Sequence, residues 1–348
     1  MNLDIALWLS QDAITNGAVY ALLAVALVLV YTVTRVIFVP QGEFLTFAAL
    51  SMASLQAGNF PGTAYLLIGG GVAVVAVESL GAPRGEAARR LPRLLLRYVA
   101  VPMAAAGLAW WSASRPADLW LQIAATLALV TPMGPIVYRL AFQPIANASV
   151  LVLLIVAVAV HYVLTGMGLV FFGGEGLRAK PFSALSFQIG VLNVTAQSLL
   201  IVFASLATMA ALWMLFERTL YGKALHATAV NRTGALLVGI SPQFSGRLSF
   251  TLAAFIAAIS GILIAPITTV FYDTGFLISL KGFVGATIGG MASYPLAAAG
   301  SLLVGFLESG SSFWLSAFKD SIVFTLIIPV LLWRSLAAPG GSREDEEQ

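Results

Sequence analysis

The sequence of 348 residues has no cysteine, only two histidines, and only 9% Asp, Glu, Lys and Arg. Each shortage excludes something. Without cysteine there is no disulfide framework, thiol nucleophile or Cys-based zinc site. Neither histidine stands at metal-ligand spacing from a carboxylate, so no metal site is assigned. A soluble domain carries roughly 25% charged residues, and a chain with so few cannot cover a water-facing surface. The formal net charge of +3 is too small to point to a nucleic-acid partner. No Gly-x-x-x-x-Gly-Lys-Ser/Thr run is present, so the chain does not bind ATP in the P-loop manner. No Gly-x-Ser-x-Gly element or intramembrane Ser/His pair suggests a hydrolase. No catalytic residue and no cofactor of the chain's own are assigned, and the chain is not read as an enzyme.

What is abundant is apolar surface: 59% of the residues are hydrophobic. Long apolar runs indicate an all-α, polytopic transmembrane helical bundle, because a crossing helix needs about 20 such residues. A β-barrel would show short alternating segments instead. The candidate spans are 13–34, 36–57, 62–79, 97–114, 119–139, 149–172, 195–217, 247–270, 279–292, 295–311 and 317–334. Segment 279–292 is short and Gly-interrupted, so about 8–11 membrane segments are expected, broken or short helices included. A single transmembrane domain over residues 1–348 is expected. The first run is too long for a signal peptide and is preceded by Asp4 and Asp12 rather than by basic residues, so it reads as a retained span.

The placement of Lys and Arg sets the orientation. If residues 217–247 face the cytoplasm and sides alternate from there, 13 of the 18 Lys and Arg lie inside, and Arg115, Arg178, Lys180, Lys281 and Lys319 lie outside. The N-terminus is then external and the C-terminal tail, 335–348, cytoplasmic. Residues 80–97 form a basic cytoplasmic loop suited to touching anionic membrane lipid. Residues 173–194 form an external loop with alternating apolar residues near its end.

Three constellations carry the functional expectations. In Pro40-Gln41-Gly42-Glu43, Pro40 removes a backbone donor and Gly42 loosens a helix. A carboxylate beside such a break belongs in a bundle interior or along a water-filled route, unless the break is only the turn between two spans and Glu43 lies at the interface. Asn16 and Tyr20 share one face of the first span and are candidate lining residues. Gly282, Gly285, Gly289 and Gly290 make a small-residue face, suited first to close helix packing; Gly285 and Gly289 are also candidate pathway positions. In the 217–247 loop, Ala224, Ala227, Asn231, Ala235 and Gly239 step by three or four into a small-sided stripe, read as one helix with a docking face. Gly239 followed by Pro242 supplies the stop. His161 reads as a hydrogen-bonded structural residue, and Glu78 and Glu308 as span-end residues reaching the interface.

Asn16-Gly17-Ala18-Val19-Tyr20-Ala21-Leu22 and Pro40-Gln41-Gly42-Glu43-Phe44 resemble the start of branched-chain amino acid ABC transporter permeases of the high-affinity Leu/Ile/Val uptake type. Tyr221-Gly222-Lys223-Ala224-Leu225-His226-Ala227-Thr228-Ala229-Val230-Asn231-Arg232 is similar to that family's cytoplasmic loop. The glycine run from Leu280 to Gly290, Leu307-Glu308-Ser309 and Ala317-Phe318-Lys319-Asp320 are similar to its C-terminal pattern. The resemblance implies one permease subunit of an importer in a bacterial inner membrane. Its partners would be a second, often non-identical, permease, two ATP-binding subunits and a periplasmic solute-binding protein. Tyr221, Gly222, Lys223, Ala224, Ala227, Asn231, Arg232, Ala235 and Gly239 would then couple to the ATPases, and Gln41, Gly42 and Glu43 would shape the pathway. Two departures leave the solute open among aliphatic amino acids, urea, amides and aromatic acids. Gln41 stands where many members have histidine, and residues 80–115 are longer than the usual connection. An ion-coupled carrier with a proton on Glu43 or Glu308 is the alternative.

Overall fold

The computed structural model describes residues 3–81, 91–115, 118–183, 185–190 and 192–337. Apolar residues dominate every long segment, so helices satisfy the backbone internally. They run in order as α1 Leu3–Thr34, α2 Gln41–Gln56, α3 Thr63–Gly81, α4 Leu91–Ala113, α5 Leu119–Ile145, α6 Val150–Phe172, α7 Ala196–Arg218, α8 Leu220–Val230, α9 Arg232–Leu237, α10 Pro242–Ile264, α11 Thr274–Ile288, α12 Tyr294–Trp314, α13 Lys319–Thr325 and α14 Ile327–Ala337. Nine helical stretches among the described residues are long and apolar enough to cross a membrane. The buried helix α2 and the apolar helix α11 are shorter, with 16 and 15 residues. At 1.5 Å per residue each spans only about 22–24 Å.

Burial sorts these helices into a centre and a rim. In α1, 89% of the most apolar window lies inside the protein, against 22% in α6, 17% in α7 and 6% in the stretch Ser316–Trp333. Every residue of α2 from Gln41 to Leu55 is buried. The core joins α1, α2, α10 and α11, with Phe38, Phe44, Phe142 and Phe250 clustered between them. The outer faces of α6 and α7 are apolar and exposed, as a lipid-facing surface requires.

Among the described residues one short antiparallel strand pair stands beside the helices. Strand β1, Ser186–Ile189, pairs antiparallel with β2, Leu192–Thr195, in the register Ser186↔Thr195 and Phe187↔Val194. The alternation noted in the 173–194 loop is therefore strand alternation. The strand pair marks one end of the bundle: Gln11 Nε2 donates to the Asn193 carbonyl, and Gln56 and Lys180 bond nearby. At the other end Arg232 Nη1 donates to the carbonyl of Ala146, in the α5–α6 connection.

Three expectations change here. The second span does not begin at residue 36. Arg35 turns left-handed (φ 61°) and its amide bonds back to the Tyr31 carbonyl, capping α1. Residues 35–40 then climb without helical structure, and Gln41 Nε2 reaches the Leu23 carbonyl at 3.0 Å. Leu23 is eleven residues before Thr34, so α2 starts about 16 Å in from the end of α1. The 279–292 segment is instead α11, starting five residues earlier and stopping at Ile288, where Gly290 and Met291 are both left-handed. Lys281 is consequently not in an external loop but buried within α11, so it drops out of the outside charge count. Part of the basic loop, residues 82–90, and the tail beyond residue 337 lie outside the described residues.

Candidate translocation and coupling sites

The break before α2 places Glu43 in the first turn of a helix that starts deep in the bundle, where a carboxylate is favoured by the helix dipole. Glu43 is 1% exposed, so the interior position holds and the interfacial one does not. Its Oε1 lies 2.6 Å from His161 Nδ1 and 3.5 Å from Thr165 Oγ1, one turn along α6. The His161 ring stacks on Phe276 of α11 with centroids 4.3 Å apart. Glu43 Oε2 is buried with no partner, and so is Oε1 of Gln41. Gly42 sets the spacing of this corner. A Cβ there would run into the Gly275 carbonyl, and one on Gly275 into the Gly42 carbonyl and Thr46 Oγ1. Only glycine lets the first turns of α2 and α11 touch backbone to backbone, and Gly275 N–H donates to Thr46 Oγ1 at 2.9 Å.

A second buried cluster joins α1, α11, α12 and α13. Tyr20 donates to Glu308 Oε2 at 2.6 Å, Lys281 Nζ donates to Glu308 Oε1 at 2.5 Å, and Asp320 Oδ1 lies 3.0 Å from Lys281 Nζ. Glu308 is thus a fully bonded interior carboxylate, not a residue reaching for the interface. Glu78 is likewise ion-paired, with Arg139. Neither partnership could be found by local spacing, since the partners lie on other helices. Asn16 is half-buried one turn from Tyr20. Gly285 and Gly289 lie against Ser301 and Ala297 of α12, where a Cβ would strike backbone or side chain. These two positions therefore face a helix contact, which is the packing reading.

The 217–247 loop folds as two helices rather than one. Thr219 caps α8 through a bond from Gly222 N–H, and Asn231 caps α9 through a bond from Gly234 N–H. The chain turns extended at Asn231, so the stripe is interrupted there. Ala224 and Ala227 are half-buried, and Gly222 and Ala235 are buried against the protein itself. Leu225 packs on Leu29 and Val33, and the Thr228 and Ser245 hydroxyls bond at 2.8 Å, turning that side inward. The outward surface is made instead by Leu220, Tyr221, Val230, Leu236, Leu237 and Val238, with Lys223 and His226 beside them. Arg232 is tied to Ala146. Gly239 is left-handed (φ 87°) and closes α9, and Pro242 opens α10.

A cavity of about 1210 Å³ opens at this end, between α1, α7, α8 and the α11–α12 turn. Tyr31, Arg35, Phe216, Lys223, His226 and Tyr294 line it, and it reaches inward to Val25 and Met209. Among the described residues no three His, Asp or Glu side chains gather as metal ligands.

A many-helix membrane bundle with a core helix broken at depth, a cavity open at one end and an apolar helix pair beside that mouth is the architecture of a membrane permease. The comparisons agree. A family model described as branched-chain amino acid transport system / permease component matches residues 11–331, and the chain belongs to that family. It is 28% identical over 224 residues to the high-affinity branched-chain amino acid transport system permease protein LivH of Escherichia coli K12, covering 61% of this chain and 73% of that one. It is 27% identical over 231 residues to the corresponding protein BraD of Pseudomonas aeruginosa, covering 64% and 74%. A probable branched-chain amino acid transport permease protein LivH of Methanocaldococcus jannaschii is 27% identical over 225 residues, covering 60% and 69%. No solved structure matches the chain.

Proposed function

We propose that this multi-pass membrane protein is the permease subunit of an ATP-binding-cassette importer for branched-chain or similar hydrophobic amino acids, set in a bacterial inner membrane. A second permease, two ATP-binding subunits and a periplasmic solute-binding protein complete it. The observation that carries this reading is the family match across residues 11–331. The surface of α8 and α9 supports it: Leu236 and Leu237 project from a short helix at the membrane end, where an exposed apolar patch rimmed by polar residues marks a protein interface. ATP-driven closure of the partner subunits would push on this pair. Leu225 and the Thr228–Ser245 bond would pass the movement to α1 and α10. In the ion-coupled alternative a proton would ride on Glu43 or Glu308; both oxygens of Glu308 are bonded, which leaves only Glu43 for that role, and the family match favours the ATP-driven reading.

The test is reconstitution in vesicles with the partner subunits. ATP should drive leucine accumulation, and accumulation that persists without any ATP-binding subunit would refute an ATP-driven importer. Leu237→Glu should leave membrane insertion unchanged, because Leu237 is 84% exposed, while the ATP-binding subunits are lost on copurification. Normal copurification and uptake by that variant would remove the docking role.

A further inference from the structure

We infer that the Glu43–His161–Thr165 cluster selects solutes that carry a primary ammonium group, with Glu43 Oε2 as the acceptor that takes it. This rests on the proposed transport function and specifies which chemistry the pathway admits. A buried polar atom without a partner is rare and asks for an explanation, and an ionisable group inside a membrane bundle marks a functional site by default. Glu43 meets both conditions. One oxygen is held by His161 and Thr165, so the carboxylate is fixed in orientation, and the other points to nothing that bonds it. Such a fixed acceptor is prepared for an N–H donor from outside the chain. Phe276 stacks on the His161 ring and so helps hold the imidazole that orients the carboxylate. A solute bearing only a carboxylate meets like charge and is repelled.

The three helices pack unequally. Glu43 is on the fully buried α2 and Phe276 on α11, locked to α2 through Gly42 and Gly275. His161 and Thr165 sit on rim helix α6, whose best apolar window is only 22% buried. A Cβ added at Gly166, next to Thr165, would meet nothing within 4 Å. Of the helices around the cluster, α6 therefore packs least tightly, while α2 and α11 hold Glu43 in place. Asp273 is the acidic residue nearest in sequence on α11; it is its N-cap position and bonds the Phe276 amide through its backbone carbonyl.

The test is equilibrium binding of tritiated leucine to the assembled permease–ATPase complex in nanodiscs, without the solute-binding protein. Leucinamide, which keeps the ammonium, should displace leucine. 4-Methylpentanoate, which keeps a carboxylate and lacks the ammonium, should not. Glu43→Gln should weaken leucine and leucinamide binding by about tenfold or more, as loss of a charged hydrogen bond implies. The wild-type displacement series decides the question even where the variant fails to assemble. Displacement by 4-methylpentanoate as good as by leucinamide overturns the inference. So does unchanged binding in Glu43→Gln, leucine binding that requires sodium, or no leucine binding by the wild-type complex. Vesicle uptake of leucine with all partners, measured in parallel, separates the two levels: uptake with any of these outcomes removes the ammonium site alone, and no uptake removes the amino acid function itself.

Discussion

Two clusters of ionisable residues stand out among the described residues inside this bundle, and they differ in how the central carboxylate is bonded. In the first, Glu308 has a partner on each oxygen, Lys281 sits between two carboxylates, and Tyr20 donates inward. Asp320 Oδ1 is met there by Lys281 as an ion pair without a hydrogen bond. Four helices meet there, and every member except the half-exposed Asp320 is buried. In the second, Glu43 is as deeply buried but only one of its oxygens is engaged. A closed network in a low-dielectric interior is a fastener, since each charge is answered by another. An open one holds a charge in readiness. Expensive groups therefore have two uses in the same membrane interior, and their hydrogen bonds tell the uses apart.

The comparison is broken most directly at Lys281. Lys281→Met leaves Glu308 and Asp320 without their cation in the interior, and removing one partner of a buried pair costs about 3–5 kcal/mol. We expect a large fall in the thermal midpoint of the purified protein and low yield from the membrane. Adding Glu308→Leu to that variant should recover much of the loss, because an apolar replacement needs no countercharge. A midpoint unmoved by Lys281→Met would mean that the network fastens nothing.

A smaller effect is expected at the glycine corner that holds the open cluster in place. Gly275→Ala puts a methyl group into the Gly42 carbonyl, a backbone atom that cannot swing aside. Overpacking of this kind costs about 1–3 kcal/mol. Gly107→Ala in α4, where a Cβ would meet nothing within 4 Å, is the control and should leave the midpoint unchanged. Equal midpoints for the two variants would show that the α2–α11 contact tolerates separation.

How much of this was legible in the sequence depends on the distance over which the information acts. The long spans were visible because about 20 apolar residues is a local requirement. The stop at Gly239 was visible because Gly and Pro are local signals, but the next helix begins at Pro242, five residues before the span expected from 247. The start of α2 was marked only as a break at Pro40–Glu43; the apolar Val36–Val39 before it reads like the opening of a span, so local hydropathy did not show that residues 35–40 are unwound and that the helix begins at Gln41. Lys281 was misplaced by a rule that sends cations to the loops; its countercharge, Glu308, lies 27 residues away on the next helix. Glu43 was singled out from the Pro40–Gly42 break, but His161, 118 residues distant, could be joined to it only by the fold. The docking stripe failed in part because small residues serve equally well against the protein's own helices, and Ala235 faces inward.

The smallest effect on stability should come from Glu43→Gln, and its smallness carries the contrast with Lys281. Glutamine has the same shape, and its amide supplies both an oxygen that accepts and an NH2 that donates, so it can bond His161 Nδ1 in either tautomer. The substitution also removes a buried carboxylate oxygen that has no hydrogen-bond partner, which offsets part of the weakened bond to His161. We expect the thermal midpoint to move by less than about 1 kcal/mol in equivalent stability, while ATP-driven leucine uptake is lost. Loss of both together, on the scale of Lys281→Met, would place Glu43 among the fasteners. Retention of both would leave its open oxygen without a use.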